Sequence, residues 1–232
     1  MIHTVRLSLV LLCAVVALSG VSCRGENLEE LGEGTILVQE DFTADDLEAW
    51  LIEGDAAGQT ALVGEQLVIA VHEPNTVQYA TLVGETFEEF FLQVDVTQLA
   101  GSPASSYGIL FGLGTPPAAA IPGATPASPS GFYRFEVTGE GQYMVERREQ
   151  DGRWVRLTEE WVESPALTTE LGATNELAIR AAGSELSFYA NGQELTRLTD
   201  ASYSGGHVAL DAGTWGTPGL EVAFDNLVIR EP

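Results

Sequence analysis

The 232-residue sequence contains no lysine, and its ten basic residues are all arginines, against 34 aspartates and glutamates. The formal net charge is −24 at pH 7. Nucleic acids are bound through basic stripes that neutralise phosphates, and anionic lipid head groups repel an acidic surface. The composition therefore argues against a nucleic-acid partner. It also argues against membrane contact through the protein surface itself.

Cysteine and histidine are scarce. The two cysteines are Cys13 and Cys23, and the three histidines are His3, His72 and His207. Cys13 lies in an N-terminal apolar run that we expect to be removed, so the mature chain keeps no pair of thiols for a disulfide or a zinc site. His72 and His207 are isolated from each other and form no pattern of a metal cluster or a catalytic triad. The sequence thus predicts no catalytic residue and no required cofactor.

The N-terminus has the pattern of an export signal. An uncharged apolar run over 7–18 follows Arg6 and leads through small residues to Cys23. Such a run is removed after export, and it is shorter than the roughly 20 apolar residues of a membrane-spanning helix. We therefore predict a signal peptide at 1–22.

The residues at 20–23, Gly-Val-Ser-Cys, resemble the lipobox of bacterial lipoproteins, whose cysteine receives diacylglycerol and becomes the new N-terminus. An ordinary signal peptide with a chance cysteine is the alternative. The Gly- and Glu-rich residues that follow suit a flexible tether between a lipid and a folded domain. We predict lipidation at Cys23, a tether over 23–34, and a chain anchored by its lipid to the cell membrane on the extracytoplasmic side.

From residue 35 onward the pattern is that of β-strands. Short apolar–polar alternating runs recur between turn signals, and such alternation buries one face of a strand. The runs are 66–71, 90–96, 107–113, 132–137, 142–147, 154–157, 176–180, 185–190, 194–198, 207–210 and 220–229. Asn191 and Gly192 separate two of them, and this pair favours a type I′ hairpin. The sequence predicts an all-β domain over 35–232, a two-sheet antiparallel sandwich.

One uncharged Pro/Ala-rich segment, 114–130, interrupts the strands. We interpret it as a long surface loop inside the domain, because neither flank could bury a core alone. It is either a tolerated insertion or a lid over a ligand.

Several motifs along the chain belong together. They are DF at 41–42, Trp50, SYG at 106–108, FYRFEV at 132–137, GQY at 141–143, Trp154, NELAI at 175–179, LSFYANG at 186–192 and FDN at 224–226. Together they resemble the concanavalin A-like lectin/glucanase superfamily, in the laminin-G-like and 3-keto-disaccharide-hydrolase-like domains of bacterial surface lipoproteins. The resemblance covers nearly all of 36–230. It implies a jelly-roll sandwich and says little about function, because these are mostly turn and core residues.

Glucanases of the resembled superfamily often carry a Glu-x-Asp-x-x-Glu strand that supplies the nucleophile and the acid/base. This chain has QVDVTQ at 93–98, with Gln93 and Gln98 at the two glutamate positions. If the strands are equivalent, the two-carboxylate mechanism is absent, because an amide can neither attack an anomeric carbon nor transfer a proton.

The remaining candidates are aromatic and oxygen-bearing side chains. Sugar rings stack their C–H faces on aromatic planes, so we predict ligand contacts from exposed rings. The candidate rings are Trp215, Trp161, Tyr107 and Tyr143. Carboxylate and amide oxygens suit calcium, and we predict a possible structural calcium at Asp41, Asp225 and Asn226. The alternative is that all of these residues serve the core and the turns.

The sequence thus predicts a non-catalytic lectin-like module that binds carbohydrate or another envelope ligand. One alternative is a glycoside hydrolase or lyase of the 3-keto-disaccharide-hydrolase-like type. Another is a structural or sensory ectodomain that binds protein partners. Two or three acidic groups converging in one pocket would favour the enzyme, and an aromatic-edged face without them would favour the binder.

Overall fold

The computed structural model describes residues 34–43, 49–52, 54–114 and 131–232. The predicted signal peptide, Cys23, the tether up to residue 33 and the segment 115–130 lie outside these residues. Within the described ranges there is no α-helix, and no helix long and apolar enough to cross a membrane.

The described residues form sixteen strands in two antiparallel sheets of eight strands each. The strands are β1 (Ile36–Glu40), β2 (Trp50–Ile52), β3 (Gly58–Leu62), β4 (Leu67–Val71), β5 (Val77–Phe87), β6 (Phe90–Ala100), β7 (Ser106–Leu113), β8 (Phe132–Thr138), β9 (Gln142–Arg148), β10 (Trp154–Arg156), β11 (Val162–Glu163), β12 (Thr174–Ala182), β13 (Glu185–Ala190), β14 (Gln193–Thr199), β15 (Gly206–Gly213) and β16 (Leu220–Arg230). Sheet A has the order β14-β13-β12-β6-β16-β4-β3, with β1 beside β16. Sheet B has the order β10-β9-β8-β7-β15-β5-β2, with β11 beside β9. The predicted jelly-roll sandwich is confirmed.

The two sheets pack face to face through aromatic and aliphatic side chains. On β8, Phe135 faces sheet A and packs against Phe188 of β13, with ring centroids 5.1 Å apart. Because side chains alternate along a strand, Arg134 and Glu136 point to the opposite face of sheet B. We call the side of each sheet that faces away from its partner the outer face.

The predicted hairpin is present, and the first and last strands are neighbours. Asn191 and Gly192 join β13 to β14 with φ of 48° and 79°, the left-handed values that a type I′ turn requires. Strand β1 pairs with β16, and both Phe42 and Phe224 are buried in the core.

Five strands lie outside the predicted runs: β1, β2, β3, β5 and β11. The longest of them is β5, with eleven residues. Its sequence lacks clean alternation, since Thr81, Gly84 and Glu85 interrupt the apolar positions. Pairing with β15 on one side and β2 on the other holds it in the sheet. Tertiary pairing overrides weak local propensity here.

Candidate functional site

Four charged side chains meet on the outer face of sheet B. Arg134 and Glu136 come from β8, Glu146 from β9 and Asp211 from β15. Arg134 is paired directly with Glu146 across the two strands. Glu136 is paired with Gly108 of β7, which in turn is paired with Asp211. The glycine places no side chain between the two carboxyls, and we call the four residues the Arg134 cluster.

The Arg134 cluster is buried although it lies on an outer face. Exposed fractions are 7% for Arg134, 1% for Glu136, 6% for Glu146 and 0% for Asp211. The Nε of Arg134 donates to Glu146 Oε1 at 2.9 Å and lies 3.1 Å from Glu136 Oε2. Its Nη2 also donates to Glu146. Two carboxyl groups thus contact the guanidinium, and that of Asp211 acts on it through its charge without a hydrogen bond.

This imbalance shifts the titration of the cluster. Burial raises the pKa of Glu136, against the opposing charge of Arg134. Burial also raises the pKa of Asp211 well above its ordinary value, and the nearby charge of Glu136 adds to the rise. Burial by itself would lower the pKa of Arg134, but the three carboxylates raise it on balance. Asp211 is therefore the carboxyl that holds its proton to a pH at which exposed carboxyls are ionised.

A cavity of about 630 Å³ opens beside the cluster, and three of the four tryptophans line it. They are Trp154, Trp161 and Trp215, together with Arg134, Met144, Glu146, Arg156 and Glu160. Trp154 and Trp215 are 39% and 45% exposed. Aromatic rings and hydrogen-bonding groups therefore face one cavity.

Trp154 is held by one aromatic and two cationic neighbours. Its ring meets Phe132 edge to face, with centroids 5.6 Å apart. The guanidinium carbon of Arg134 lies 4.4 Å from the Trp154 ring centroid, and that of Arg148 lies at 5.5 Å. These contacts hold the ring in place beside the sheet.

Trp215 is tied to the cluster through a hydroxyl group. Its Nε1 donates to Ser106 Oγ at 2.9 Å, and that hydroxyl donates to Glu136 Oε1 at 2.7 Å. In the same loop, Gly216 donates its backbone N–H to the Asn75 side chain at 3.1 Å. The loop between β15 and β16 therefore carries an exposed indole whose nitrogen is anchored to the sheet.

Trp161 has a backbone φ of 50°. A bulky residue with positive φ is an outlier, and such outliers persist where the surrounding structure holds them. Trp161 precedes β11, which pairs with β9 beside Tyr143. The strained conformation places Trp161 at the cavity.

The four rings predicted from the sequence divide into two pairs. Trp215 and Trp161 line the same cavity. Tyr107 and Tyr143 lie in the core between the sheets, 2% and 6% exposed. Burial raises the pKa of Tyr107 to about 12, and the Tyr143 hydroxyl donates to the Leu195 carbonyl at 2.9 Å. Both strand positions face inward, which leaves no ring face for a ligand, and we do not include either tyrosine in the site.

The residues predicted for calcium lie away from this cavity. Asn226 donates its backbone N–H to Asp225 at 2.8 Å and its side-chain N–H to Asp95 at 2.9 Å. Asp41 accepts a hydrogen bond from the Thr43 backbone at 3.3 Å. Among the described residues, no group of three or more His, Cys, Asp or Glu side chains is placed to hold a metal. Calcium at Asp41, Asp225 and Asn226 stays a prediction.

The glutamine pair of the QVDVTQ segment is also remote from the cavity. Residues 93–98 lie in β6, inside sheet A, where Gln93 is paired with Ala178 and Val228. Gln98 is buried and donates to the Ser102 carbonyl at 3.0 Å. The three carboxyl groups of the Arg134 cluster lie in the other sheet.

Comparison with known proteins agrees with this fold. A carbohydrate binding module, CBM66, from Bacillus subtilis superposes with a TM-score of 0.58 at 13% identity, over 79% of this chain and 96% of the module. A Bacillus subtilis protein of unknown function with a galectin-like fold gives a TM-score of 0.66 at 9% identity, over 85% of this chain and 96% of that protein. The laminarinase catalytic domain from Thermotoga maritima gives 0.60 at 11% identity, over 86% and 98%.

No protein-family model matches the chain, and no curated protein matches its sequence. At these identities the likeness is one of fold. It is consistent with the concanavalin A-like resemblance of the sequence motifs.

Proposed function

We propose that the sandwich binds carbohydrate in the tryptophan-lined cavity of sheet B, as a lectin-like module without catalytic activity. The observation that supports this most is the convergence of Trp154, Trp161 and Trp215 on one cavity beside the Arg134 cluster. Sugar-binding sites need aromatic planes for C–H faces and fixed polar groups for hydroxyls. Both kinds of group line this cavity.

The polar part suits uncharged hydroxyls better than anions. Arg134 is already engaged by Glu146 and lies 3.1 Å from Glu136. The chain carries a net charge of −24, which repels sulfated or uronic sugars over long distances. We therefore expect a neutral glycan. The fold supports the proposal to the extent that a carbohydrate binding module shares it.

The test is a glycan array probed with the purified protein and with Trp215→Ala. A stacked ring contributes on the order of 1 kcal/mol beyond burial, so the variant should bind roughly tenfold more weakly, equivalent to about 1.4 kcal/mol. Val63→Ala is the matched control, because Val63 is 59% exposed and lies outside the cavity lining. Failure of the parent protein to bind any glycan, or equal binding by Trp215→Ala, contradicts the proposal.

The three carboxyls of the Arg134 cluster favour a second candidate, a glycoside hydrolase. Glu136 has a raised pKa, as a general acid requires. However, Glu136 does not line the tryptophan-lined cavity, and its Oε1 accepts the Ser106 hydroxyl. Release of reducing sugar from an oligosaccharide, abolished in Glu146→Gln, would favour the hydrolase over the binding module.

We also propose that Cys23 carries a lipid that holds the domain on the extracytoplasmic side of the membrane. The support is the apolar run followed by the lipobox-like residues 20–23. Cys23→Ser should move the protein to the soluble fraction or stall its processing. Unchanged membrane association without any lipid detected by mass spectrometry would contradict the anchor.

A further inference from the structure

A second, smaller cavity of about 210 Å³ adjoins the main one on the outer face of sheet B. Trp154 and Arg134 line both cavities, so the two volumes meet at these side chains. The walls of the smaller cavity are mostly apolar: Val77, Tyr79, Leu110 and Phe132. Asp211 and Arg148 complete the lining, and we call this volume the Asp211 cavity.

Asp211 is the unusual group in this cavity. Its side chain is fully buried, and among the described residues neither carboxyl oxygen has a hydrogen-bond partner. A buried polar group without a partner costs free energy, and each such group calls for an explanation. On the neighbouring strand β7, the residue paired with Asp211 is Gly108, which has no side chain that could donate a hydrogen bond. A larger residue does not fit there, because a Cβ at position 108 would lie 2.0 Å from the Phe135 carbonyl oxygen. A ligand group that reaches Asp211 would satisfy the carboxyl.

The lining specifies what kind of group fits. A bare hydroxyl would leave the walls formed by Leu110 and Phe132 unfilled. A carboxylate, sulfate or phosphate would bring further negative charge against Asp211, Glu136 and Glu146. An acetamido group has a methyl for the apolar walls, an N–H that a carboxyl accepts and a carbonyl that accepts from a guanidinium or from a protonated carboxyl. In this cavity Asp211 is the carboxyl and Arg148 supplies the guanidinium.

We propose that the Asp211 cavity is a subsite for the acetamido group of an N-acetylhexosamine, whose ring lies against Trp154 in the main cavity. The inference rests on the proposed carbohydrate binding and names its ligand class. The volume of about 210 Å³ is about seven times the share of one water molecule in the liquid, roughly 30 Å³, which leaves room for an acetamido substituent.

The test is isothermal titration calorimetry of the full chain with four probes. They are the methyl glycosides of N-acetylglucosamine, N-acetylgalactosamine, glucose and galactose. For at least one stereochemical pair, the acetamido sugar should bind ten times more tightly than its hydroxyl counterpart, equivalent to about 1.4 kcal/mol. Val77→Trp should reduce that ratio to about one, because the added ring fills the cavity from its exposed rim. Val77 is 39% exposed, so the substitution does not disturb the core.

Val63→Trp is the matched control, since Val63 is an exposed valine that does not line the cavity, and it should keep the tenfold ratio. Asp211→Leu, which removes the polar atoms at similar size, should also reduce the ratio to about one. Equal binding of both sugars of each pair overturns the subsite while carbohydrate binding stands. A ratio that survives Val77→Trp and Asp211→Leu also overturns the subsite. Binding of none of the four overturns the subsite, and a glycan array without hits separately overturns the proposed function.

Discussion

Strand β8 of sheet B and strand β6 of sheet A have the same alternating pattern but opposite surroundings on their outer faces. On β6, Gln93, Asp95 and Thr97 are half-buried and face solvent in part. On β8, Arg134 and Glu136 are almost completely buried. The pattern in the sequence is the same, and the difference comes from what lies over each strand: the indoles of Trp154 and Trp215 stand beside β8.

This difference indicates that the outer face of sheet B is not arranged for stability alone. Burying charged groups carries a desolvation penalty that their mutual attraction often fails to offset. In the Arg134 cluster the desolvation penalty is larger than for a simple ion pair, because three carboxyls lie near one cation. One of them, Asp211, also lacks a hydrogen-bond partner among the described residues. On β6 of sheet A, the outward-facing side chains of Gln93, Asp95 and Thr97 stay partly hydrated. A costly arrangement beside a cavity is expected where a ligand is bound.

The largest expected effect is that of removing the shared cation. Arg134→Met leaves Glu136 and Glu146 buried without a counter-charge, and breaking a buried ion pair costs about 3–5 kcal/mol. Urea unfolding, monitored by circular dichroism, should show this loss in the free energy of unfolding.

Arg197→Met is the control on sheet A. Arg197 lies on the edge strand β14, where it pairs with Glu185 and Glu194 near the surface. Such pairs contribute roughly 0–1 kcal/mol. If Arg134→Met destabilises the protein no more than Arg197→Met does, the two outer faces do not differ energetically.

The next effect depends on pH and comes from Asp211. Burial raises its pKa well above that of the unfolded chain, so the folded state holds the proton more tightly than the unfolded state does. Stability associated with this group is therefore fully present below the unfolded pKa and is lost as pH rises toward the folded pKa. The loss is about 1.4 kcal/mol per pH unit in that window.

Asp211→Asn cannot ionise and should remove this slope. The charged and titratable groups that face Asp211 are Glu136 and Arg134 on β8, Glu146 and Arg148 on β9, and Tyr79 on β5. Melting temperatures of parent and variant should diverge from about pH 4 upward, with the variant higher at neutral pH. Parallel melting curves across this range would show that burial does not hold the proton on Asp211.

The strands and the hairpin could be predicted from the sequence, because both depend on the local residue pattern. Each predicted alternating run contains a strand, and Asn191 and Gly192 form the predicted hairpin. The glycines and the proline around Trp215, in GTWGTP at 213–218, are typical of an exposed loop. Alternation also marks Arg134 and Glu136 as outward-facing, but it cannot distinguish a solvated outer face from one covered by side chains of distant strands. Asp211 and Glu146 join the cluster only through the strand order of sheet B.

The face of the sheet on which each aromatic ring lies also determines whether it can contact a ligand. Tyr107 and Tyr143 alternate correctly for a core position, yet their type alone suggested a binding ring. Trp154 is not among the ligand-binding rings predicted from the sequence, although its position in β10 opposite Arg148 places it at the cavity. Alternation along the strand could have identified the buried rings, because residues two positions apart point to the same face. Tyr107 lies two positions from Ile109, which is fully buried.

The smallest expected effect concerns calcium on the outer face of sheet A. Asp95 and Asp225 are directly paired across β6 and β16, and like charges so placed repel each other. Asn226 bridges them, since its backbone N–H donates to Asp225 and its side-chain N–H donates to Asp95. These hydrogen bonds offset part of the repulsion without a cation. Asp225→Asn should change the free energy of unfolding by no more than about 0.5 kcal/mol, as for most surface substitutions.

Millimolar calcium should likewise shift the melting temperature by less than about 2 °C, in the parent and in Asp225→Asn alike, since 1 kcal/mol corresponds to roughly 2–4 °C for a domain of this size. A ligand that binds only the folded state at a hundredfold excess over its Kd would add about 2.7 kcal/mol. A calcium-dependent rise of several degrees in the parent that disappears in Asp225→Asn would therefore establish a metal site at Asp41, Asp225 and Asn226. It would also make the outer face of sheet A a functional surface in its own right, and the contrast with sheet B would then be one between two ligand sites.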